Sequence, residues 1–486
     1  MLVGAAAEPC RIEVDLSPHG LPTMGIVGLP DAAVRESAER VRTAVRNAGY
    51  EWPHSRLTVN LAPADRRKEG PVYDLPIAVA TLACSGVIGS PATGGRRIER
   101  WLMGGELALD GTVRPVRGAI AMTALASRLS LDGVILAREN VSEASLVPAV
   151  PIFGARHLVD VVRFLSDHRL TPSPSDPEGG GTPSTLVRDD GLARVVGQSI
   201  PIRAVEIAAA GGHNLLLCGP PGCGKTMLAR GLAGILPPLD DASALEVAMI
   251  RSAAGIPPEV RGFRHPPFRS PHHTSSAVAM VGGGTVPRPG EVSLAHRGVL
   301  LLDEFPEFAR TAIDALREPL EEGVVTIARA AGTVRMPAEA LVVATMNPDR
   351  GRHGAGRQGR NGLDRIGGPV LDRFDLQVEV KPPSFDWFLE DARRVRDLEP
   401  VRRRVARAGA LALARATNQD IPRLSPSDLR HLVRSIEQLG LSVRALDRVR
   451  RIARTIADLD AEPEVLRSHL DEALSFRILD RELGTV

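Results

Sequence analysis

The sequence predicts an α/β multidomain protein, and three observations carry that prediction. A Pro/Gly/Ser/Thr tract, Thr171 to Thr185 (TPSPSDPEGGGTPST), has almost no apolar content and reads as a flexible connection that separates a shorter first part from a longer second one. Beyond it, the short apolar runs at Asn214 to Cys218, Val299 to Leu302 and Leu341 to Ala344 have the pattern of strands buried on both faces of a parallel sheet. From about Trp387 onward strand signals vanish, and Val443, Leu446, Val449, Ile452 and Ile456 fall along one helical face, as in a helical bundle.

The first part justifies an α+β or α/β assignment element by element. RIEVDLS alternates Ile12, Val14 and Leu16 at period two, as a half-buried strand does. Asp31, after Pro30, is placed to cap a helix carrying Val34, Ala38, Val41 and Val45. RLTVNLAP at 56–63 reads as a further strand and Leu75 to Cys84 as a buried helix. Leu107 to Val116 reads as a hairpin turning at Asp110-Gly111.

Composition narrows the function classes. With 486 residues, 43% hydrophobic and 24% charged, the chain can bury several cores and is far from the signature of disorder. No apolar run approaches the roughly 18 residues that span a bilayer, and the N-terminus lacks a basic segment followed by an apolar one, so a cytoplasmic protein without membrane partners is expected. Cysteines 10, 84, 218 and 223 form no CxxC pair and are expected to be reduced thiols in packing positions. A formal charge of +2 leaves any nucleic-acid role to local patches. Lys68, Lys225 and Lys381 are the only lysines among 60 Lys plus Arg, so each retained lysine invites inspection.

One of them completes a phosphate-binding loop. Gly219-Pro220-Pro221-Gly222-Cys223-Gly224-Lys225-Thr226 fits GxxxxGK[ST] between an apolar strand and a helix. Its glycines let backbone N–H groups face phosphate oxygens, Lys225 would reach the β and γ phosphates, and the Thr226 hydroxyl would ligate Mg²⁺, which makes ATP and Mg²⁺ the expected ligands. Leu300-Leu-Leu-Asp303-Glu304 ends an apolar strand in two acids: Asp303 for the Mg²⁺ shell, Glu304 to orient and activate the attacking water. Asn347 ends the third strand in an amide that could bond the γ-phosphate or the water, and a turn asparagine before Pro348 is the plain alternative. Arg373 could serve a neighbouring subunit as an arginine finger, and Arg444 lies on a polar helical face with Arg448 and Arg451. A solvated surface cation is the alternative for each.

The runs Pro271-His-His-Thr-Ser-Ser, Pro289-Gly-Glu-Val-Ser-Leu-Ala-His296-Arg-Gly-Val-Leu-Leu-Leu-Asp-Glu304, Ala344-Thr-Met-Asn-Pro348 and Leu371-Asp-Arg-Phe-Asp375 resemble those of the magnesium-chelatase-like AAA+ ATPases of the ComM/YifB family. Val27-Gly-Leu-Pro-Asp31-Ala-Ala-Val-Arg-Glu-Ser37 and Val59-Asn-Leu-Ala-Pro63 extend the likeness over nearly the whole chain. The resemblance implies a Lon-protease-like α+β N-terminal domain (1–169), a flexible linker (170–190), an AAA+ P-loop NTPase core with a parallel sheet (191–385) and a C-terminal helical lid (386–486). It makes Asn347 sensor 1, Arg373 the finger and Arg444 sensor 2, in a homo-hexameric ring with ATP at subunit interfaces.

The resemblance also assigns Ala248 to Pro289 to a helix-2 insert facing the ring pore, and Val324 to Pro337 to a pre-sensor-1 hairpin. Arg329 and Arg335, flanking the hairpin's turn, are candidate DNA contacts, with a solvated hairpin the alternative. Aromatics at 3% argue against base stacking as the main grip.

Departures from relatives sharpen these expectations. Where the Lon resemblance places a nucleophilic serine this chain has Val72, and where it places the catalytic lysine it has Ile120, so a non-proteolytic docking or substrate-engaging module is expected. Lys68 could be a ligand contact there, with an exposed loop cation the favoured expectation. Many relatives carry cysteines after the sensor Asn-Pro, whereas Asn347-Pro-Asp-Arg-Gly-Arg-His353 has none, so no zinc is expected. Arg350, Arg352, Arg357, Arg360 and Arg365 make that segment basic instead, a candidate nucleic-acid patch. The chain begins close to its first strand, so an N-terminal strand of relatives is expected to be missing. The function implied is an ATP-hydrolysing motor on single-stranded or branched DNA, a branch-migration helicase of recombination or natural transformation. The alternative is a chelatase-type motor subunit that remodels a protein partner for metal insertion into a porphyrin. Against that alternative stands the fused N-terminal domain, which dedicated chelatase motors lack. A non-catalytic ATP-binding scaffold is disfavoured because Asp303, Glu304 and Arg373 are all present.

Overall fold

In the computed structural model, residues 1–17, 22–89, 92, 94–167, 190–195, 197–257, 262–284, 287–329, 332–347, 366, 368–382, 396–416, 424–441 and 443–477 are described. The expected linker, except Asp190, and the basic segment from Arg350 to Arg365 lie outside them.

The centre is a five-stranded sheet in the order Phe268–Arg269, Val299–Leu302, Leu341–Met346, Leu215–Cys218, Leu376–Glu379. Every neighbouring pair is parallel. The three inner strands are buried along their whole length, which is why they read as unbroken apolar runs rather than alternating ones. The helices Ser199–Gly211 and Lys225–Ile235 cover one face with Val205, Ala208, Leu228 and Leu232, in one core with Leu215, Leu217, Val299 and Val343. The opposite face packs Leu216, Leu300, Leu302 and Val342 against Phe305, Ile313 and Phe374.

The N-terminal third holds two small sheets. In one, Arg56–Ala62 runs antiparallel to Arg11–Ser17 and parallel to Met24–Val27. In the other, Gly133–Ala137 lies between Ile152–Ala155 and Trp101–Met103, all parallel. Asp31 caps the helix Ala32–Asn47 by accepting from the Val34 N–H, and the hairpin pairs Glu106 with Arg114 and Leu107 with Val113. This third docks on the segment after the phosphate loop. Ile120, in the helix Ala119–Arg128, is buried with Val147 and with Ala248 of the helix Asp241–Ala254, and the Gly118 N–H donates to the Ser252 carbonyl at 3.2 Å.

The C-terminal helices Glu399–Ala416 and Val443–Asp460 pack on Ser199–Gly211, and Pro426–Gln438 and Arg467–Ser475 pack on Val443–Asp460. Val401, Val405, Ile452 and Ile456 join its core, and Arg203 pairs with Asp460 and Glu472.

Three expectations need correction. Lys68 is fully buried, because its ammonium closes its own loop onto the carbonyls of Pro63 and Arg66, the latter at 2.8 Å, and so replaces water with backbone acceptors. Cys84 is exposed at a helix end, whereas Cys218 and Cys223 are buried. Arg448 is buried rather than on the solvent face with Arg444, because it turns toward Asp375 at 3.8 Å. Among the described residues no helix is long and apolar enough to cross a membrane.

Candidate functional site

The strands Leu215–Cys218, Leu341–Met346 and Val299–Leu302 are adjacent, so the residues that follow them converge at one end of the sheet. Parallel strands separated by about 4.8 Å bring together segments far apart in the chain. That packing builds a phosphate-loop end.

The loop after Cys218 is held from both sides. The Gly219 N–H donates to the Met346 carbonyl at 3.1 Å, and the Val380 N–H donates to the Cys218 carbonyl at 2.7 Å. A β-carbon on Gly219 would lie 2.2 Å from the Val380 oxygen, so glycine is required there. Gly222 and Gly224 adopt φ of +79° and +91°, which lets the loop coil before the helix Lys225–Ile235 begins. The Lys225 ammonium donates to the carbonyls of Gly219 at 2.7 Å and Pro220 at 2.8 Å, occupying its own loop.

The two acids stand opposite. The Thr226 hydroxyl lies 3.3 and 3.2 Å from the two Asp303 carboxylate oxygens. Thr345, buried in the neighbouring strand, donates its hydroxyl to Asp303 Oδ1 at 2.6 Å and accepts from the Glu304 N–H at 3.0 Å. Glu304 itself sits at φ +53°, ψ +48°, with its side chain exposed. Asn347 follows the same strand as Thr345 and is half-buried at this end of the sheet. An alcohol and a carboxylate side by side are hard oxygen donors, the set that suits Mg²⁺.

The arginines are elsewhere. Arg373 precedes the edge strand Leu376–Glu379, at the end of the sheet opposite the phosphate loop, where its carbonyl accepts from Asn214 Nδ2 at 3.1 Å. A four-residue strand, roughly 13 Å of chain, separates the two ends. The Arg373 guanidinium pairs with Glu321, and partial burial, then the proximity of Arg444, pull its pKa down. Arg444 is exposed on the helix Val443–Asp460. The structure thus places Arg373 at the end of the sheet away from the phosphate loop, with Arg444 near enough to act on its charge.

Further along the chain, the candidate DNA contacts part company. The hairpin pairs Val324–Arg329 with Gly332–Pro337, so Arg329 lies at the turn opposite Gly332, whereas Arg335 lies further down, opposite Thr326, on the exposed face.

Sequence reasoning missed three residues here. Gln198, nine-tenths buried, donates its amide to the Cys223 carbonyl at 2.7 Å and the Lys381 carbonyl at 3.1 Å, tying the phosphate loop to the edge strand's exit. Its place in Val195-Val-Gly-Gln198, just before a helix, was the available signal. Thr345 is the lone hydroxyl in an otherwise apolar strand, and that too was visible. Arg477, buried and donating to the carbonyls of Phe374 at 2.7 Å and Asp375 at 3.2 Å, had no local signal.

A parallel sheet with its strand ends carrying a phosphate loop, paired acids and a strand-end amide defines the AAA+-like class of P-loop proteins. The family descriptions agree. Residues 191–386 match "Magnesium chelatase, subunit ChlI", 12–140 match "Subunit ChlI of Mg-chelatase", and 396–477 match "Magnesium chelatase, subunit ChlI C-terminal". The chain is 42% identical over 499 residues to the protein YifB of Salmonella typhimurium, covering 99% of this chain and 96% of that one. It is 40% identical over 503 residues to the competence protein ComM of Haemophilus influenzae, covering 99% and 97%. A more distant likeness, 26% over 215 residues, covers 40% of this chain and 26% of the DNA replication licensing factor Mcm6 of Drosophila melanogaster. The chain belongs to the ComM/YifB family of magnesium-chelatase-like proteins.

Proposed function

We propose that this chain is the subunit of an ATP-hydrolysing AAA+ ring motor that acts on single-stranded or branched DNA, a branch-migration helicase of recombination or natural transformation, working in the cytoplasm. The observation that carries the reading is the division of labour across the sheet: the phosphate loop, Asp303 and Glu304 stand at one end and Arg373 with Arg444 at the other. In a closed homo-hexameric ring, a head-to-tail interface sets one subunit's arginine end against the next subunit's phosphate loop.

In that assembly Lys225 leaves the carbonyls of Gly219 and Pro220 for the β and γ phosphates of ATP. Thr226 and Asp303 would hold Mg²⁺, which neutralises charge on the phosphate oxygens. Glu304 orients and activates the attacking water, Asn347 bonds the γ-phosphate or that water, and Arg373 of the adjoining subunit breaks from its Glu321 partner to stabilise charge developing in the transition state. Arg444, as sensor 2, contacts the same nucleotide. The insert within 248–289 and the hairpin 324–337, through Arg329 and Arg335, face the pore and grip the DNA backbone.

We divide the chain into a Lon-protease-like domain at 1–169, a linker at 170–190, an AAA+ core at 191–385 and a helical lid at 386–486. Apolar packing supports a non-proteolytic first domain: Val72 lies against Gly104 and Met122, and Ile120 is buried against Ala248. The relatives' names supply the DNA track: one is a competence protein and another a replication licensing factor.

A specific observation favours a second reading, a chelatase-type motor subunit acting on a protein partner. All three family descriptions carry the chelatase name, the one matching 12–140 included, so the fused N-terminal third does not by itself stand against that reading. The steady-state ATP hydrolysis rate, alone and with single-stranded, duplex and four-way-junction DNA, separates the two, with Lys225→Ala as the blank. Stimulation by junction DNA supports the helicase. Real turnover indifferent to every DNA at low salt removes the DNA motor and favours protein remodelling.

A further inference from the structure

Thr345 has no assigned role in nucleotide hydrolysis, yet it touches both acids that do. It lies one residue from the end of the strand Leu341–Met346, only 1% exposed, where an apolar β-branched residue would pack equally well. A hydroxyl at such a place needs partners, and this one has two of different kinds. It donates to Asp303 Oδ1 at 2.6 Å, a charge-assisted bond at the short end of the usual range. It also accepts from the main-chain N–H of Glu304 at 3.0 Å. Glu304 is in the left-handed region at φ +53°, a conformation that residues with a β-carbon seldom adopt unless their surroundings hold them there.

We propose that Thr345 is a positioning residue of the ATPase reaction, whose hydroxyl fixes the Mg²⁺-directed carboxylate of Asp303 and the water-directed residue Glu304 relative to each other. The inference rests on the ATPase reading above. Asp303 and Glu304 are consecutive, and their roles require their side chains to part: the Asp303 carboxylate lies 3.2 Å from Thr226, whereas Glu304 is exposed. A left-handed residue two positions after the strand turns the chain between the two side chains. The Thr345 oxygen secures it by holding the Glu304 peptide, while its proton holds the Asp303 carboxylate that also receives Thr226. Removing the hydroxyl frees the Glu304 backbone to relax toward the right-handed region and takes from Asp303 one of two donors that set its rotamer.

The test is Thr345→Val, which keeps shape and strand propensity while deleting the hydroxyl, beside Thr345→Ser, which restores the hydroxyl. For the Val variant kcat is expected to fall roughly 10- to 100-fold, the usual loss when a group orienting a metal-site ligand is removed. Its affinity for a fluorescent ATP analogue in the absence of Mg²⁺ should match the parent, since Lys225 and the loop are untouched. The added affinity conferred by Mg²⁺ should shrink, and Thr345→Ser should recover most of both losses. Parental kcat in the Val variant, or a Ser variant as impaired as Val, would overturn the role, as would a loss confined to Mg²⁺-free affinity, which marks a packing defect. If the parent chain turns over no ATP above the Lys225→Ala blank, the ATPase reading fails separately. The Mg²⁺-dependent affinity still decides the geometry: an equal Mg²⁺ increment in parent and Val variant overturns it, and a smaller one in the variant supports it.

Discussion

At one end of the central sheet Lys225 is held by the carbonyls of Gly219 and Pro220, and Thr226 by Asp303. At the other, Arg477 holds the carbonyls of Phe374 and Asp375, Asn214 holds Arg373 and the Val342 N–H, and buried His213 meets Thr455 at 2.8 Å. In the first set Lys225 reaches carbonyls within its own loop and Thr226 reaches an acid on the neighbouring segment, contacts that a phosphate or a cation would replace. The second set joins residues more than a hundred positions apart: Arg477 and Asn214 donate to main-chain carbonyls, the Val342 N–H donates to Asn214, and His213 pairs with the Thr455 side chain. On the function proposed above, an end that exchanges nucleotide and a fixed mount call for these different solutions. The edge strand Leu376–Glu379 belongs to both, since its start follows Arg373 and its exit at Val380 and Lys381 is tied to Cys218 and Gln198.

That contrast can be broken at either end. The largest effect is expected from Arg373→Ala. Turnover should fall about 10³-fold, as for loss of an arginine finger, with nucleotide affinity retained. Stability should change little, because the partner Glu321 is half-exposed. Steady-state hydrolysis with parallel binding measurements checks it, and an active variant removes Arg373 from the transition state. Next comes Glu304→Gln, expected to lower kcat by roughly 10²- to 10³-fold and to trap bound ATP, read by quench-flow and nucleotide retention.

Arg477→Ala tests the mount itself. The buried Phe374 carbonyl and the partly buried Asp375 carbonyl lose their donor, so unfolding in denaturant should come earlier by about 2 kcal/mol, with kcat reduced and nucleotide affinity preserved. A variant equally stable and equally active would show that the mount does not depend on this bond. The smallest effect concerns acid. Burial, the leading cause, lowers the His213 pKa, with Asp375 opposing and Arg451 adding to the drop. The folded chain therefore takes up its proton at lower pH than the unfolded chain, near 6.5, so stability present at pH 7 is lost as pH falls below about 6.5. Melting temperatures from pH 8 to 5 should show that decline, and His213→Gln should flatten part of it.

Legibility from sequence followed the range of the interactions. The phosphate loop, the acid pair and the three inner strands were readable, because each depends on a few consecutive residues with a fixed pattern. Lys68 was misread because a short stretch containing Arg66, Arg67 and Glu69 looks solvated, and only the path of the loop reveals that the ammonium turns inward to Pro63 and Arg66. Arg448 was misread for a related reason. Its helical spacing from Arg444 and Arg451 suggested one polar face, but the packing of that helix points it at Asp375.

By itself the sequence determined what must happen within a turn or a strand: where the backbone coils before a helix, which runs are buried on both faces, and which acids end them. Only the tertiary structure decided that Thr345 bridges Asp303 and Glu304, that Gln198 braces the phosphate loop, and that Arg373 stands at the far end of the sheet. The reason is physical. Parallel strands set side by side join residues separated by dozens to hundreds of positions, and a hydrogen bond across that gap leaves no periodic trace in the chain.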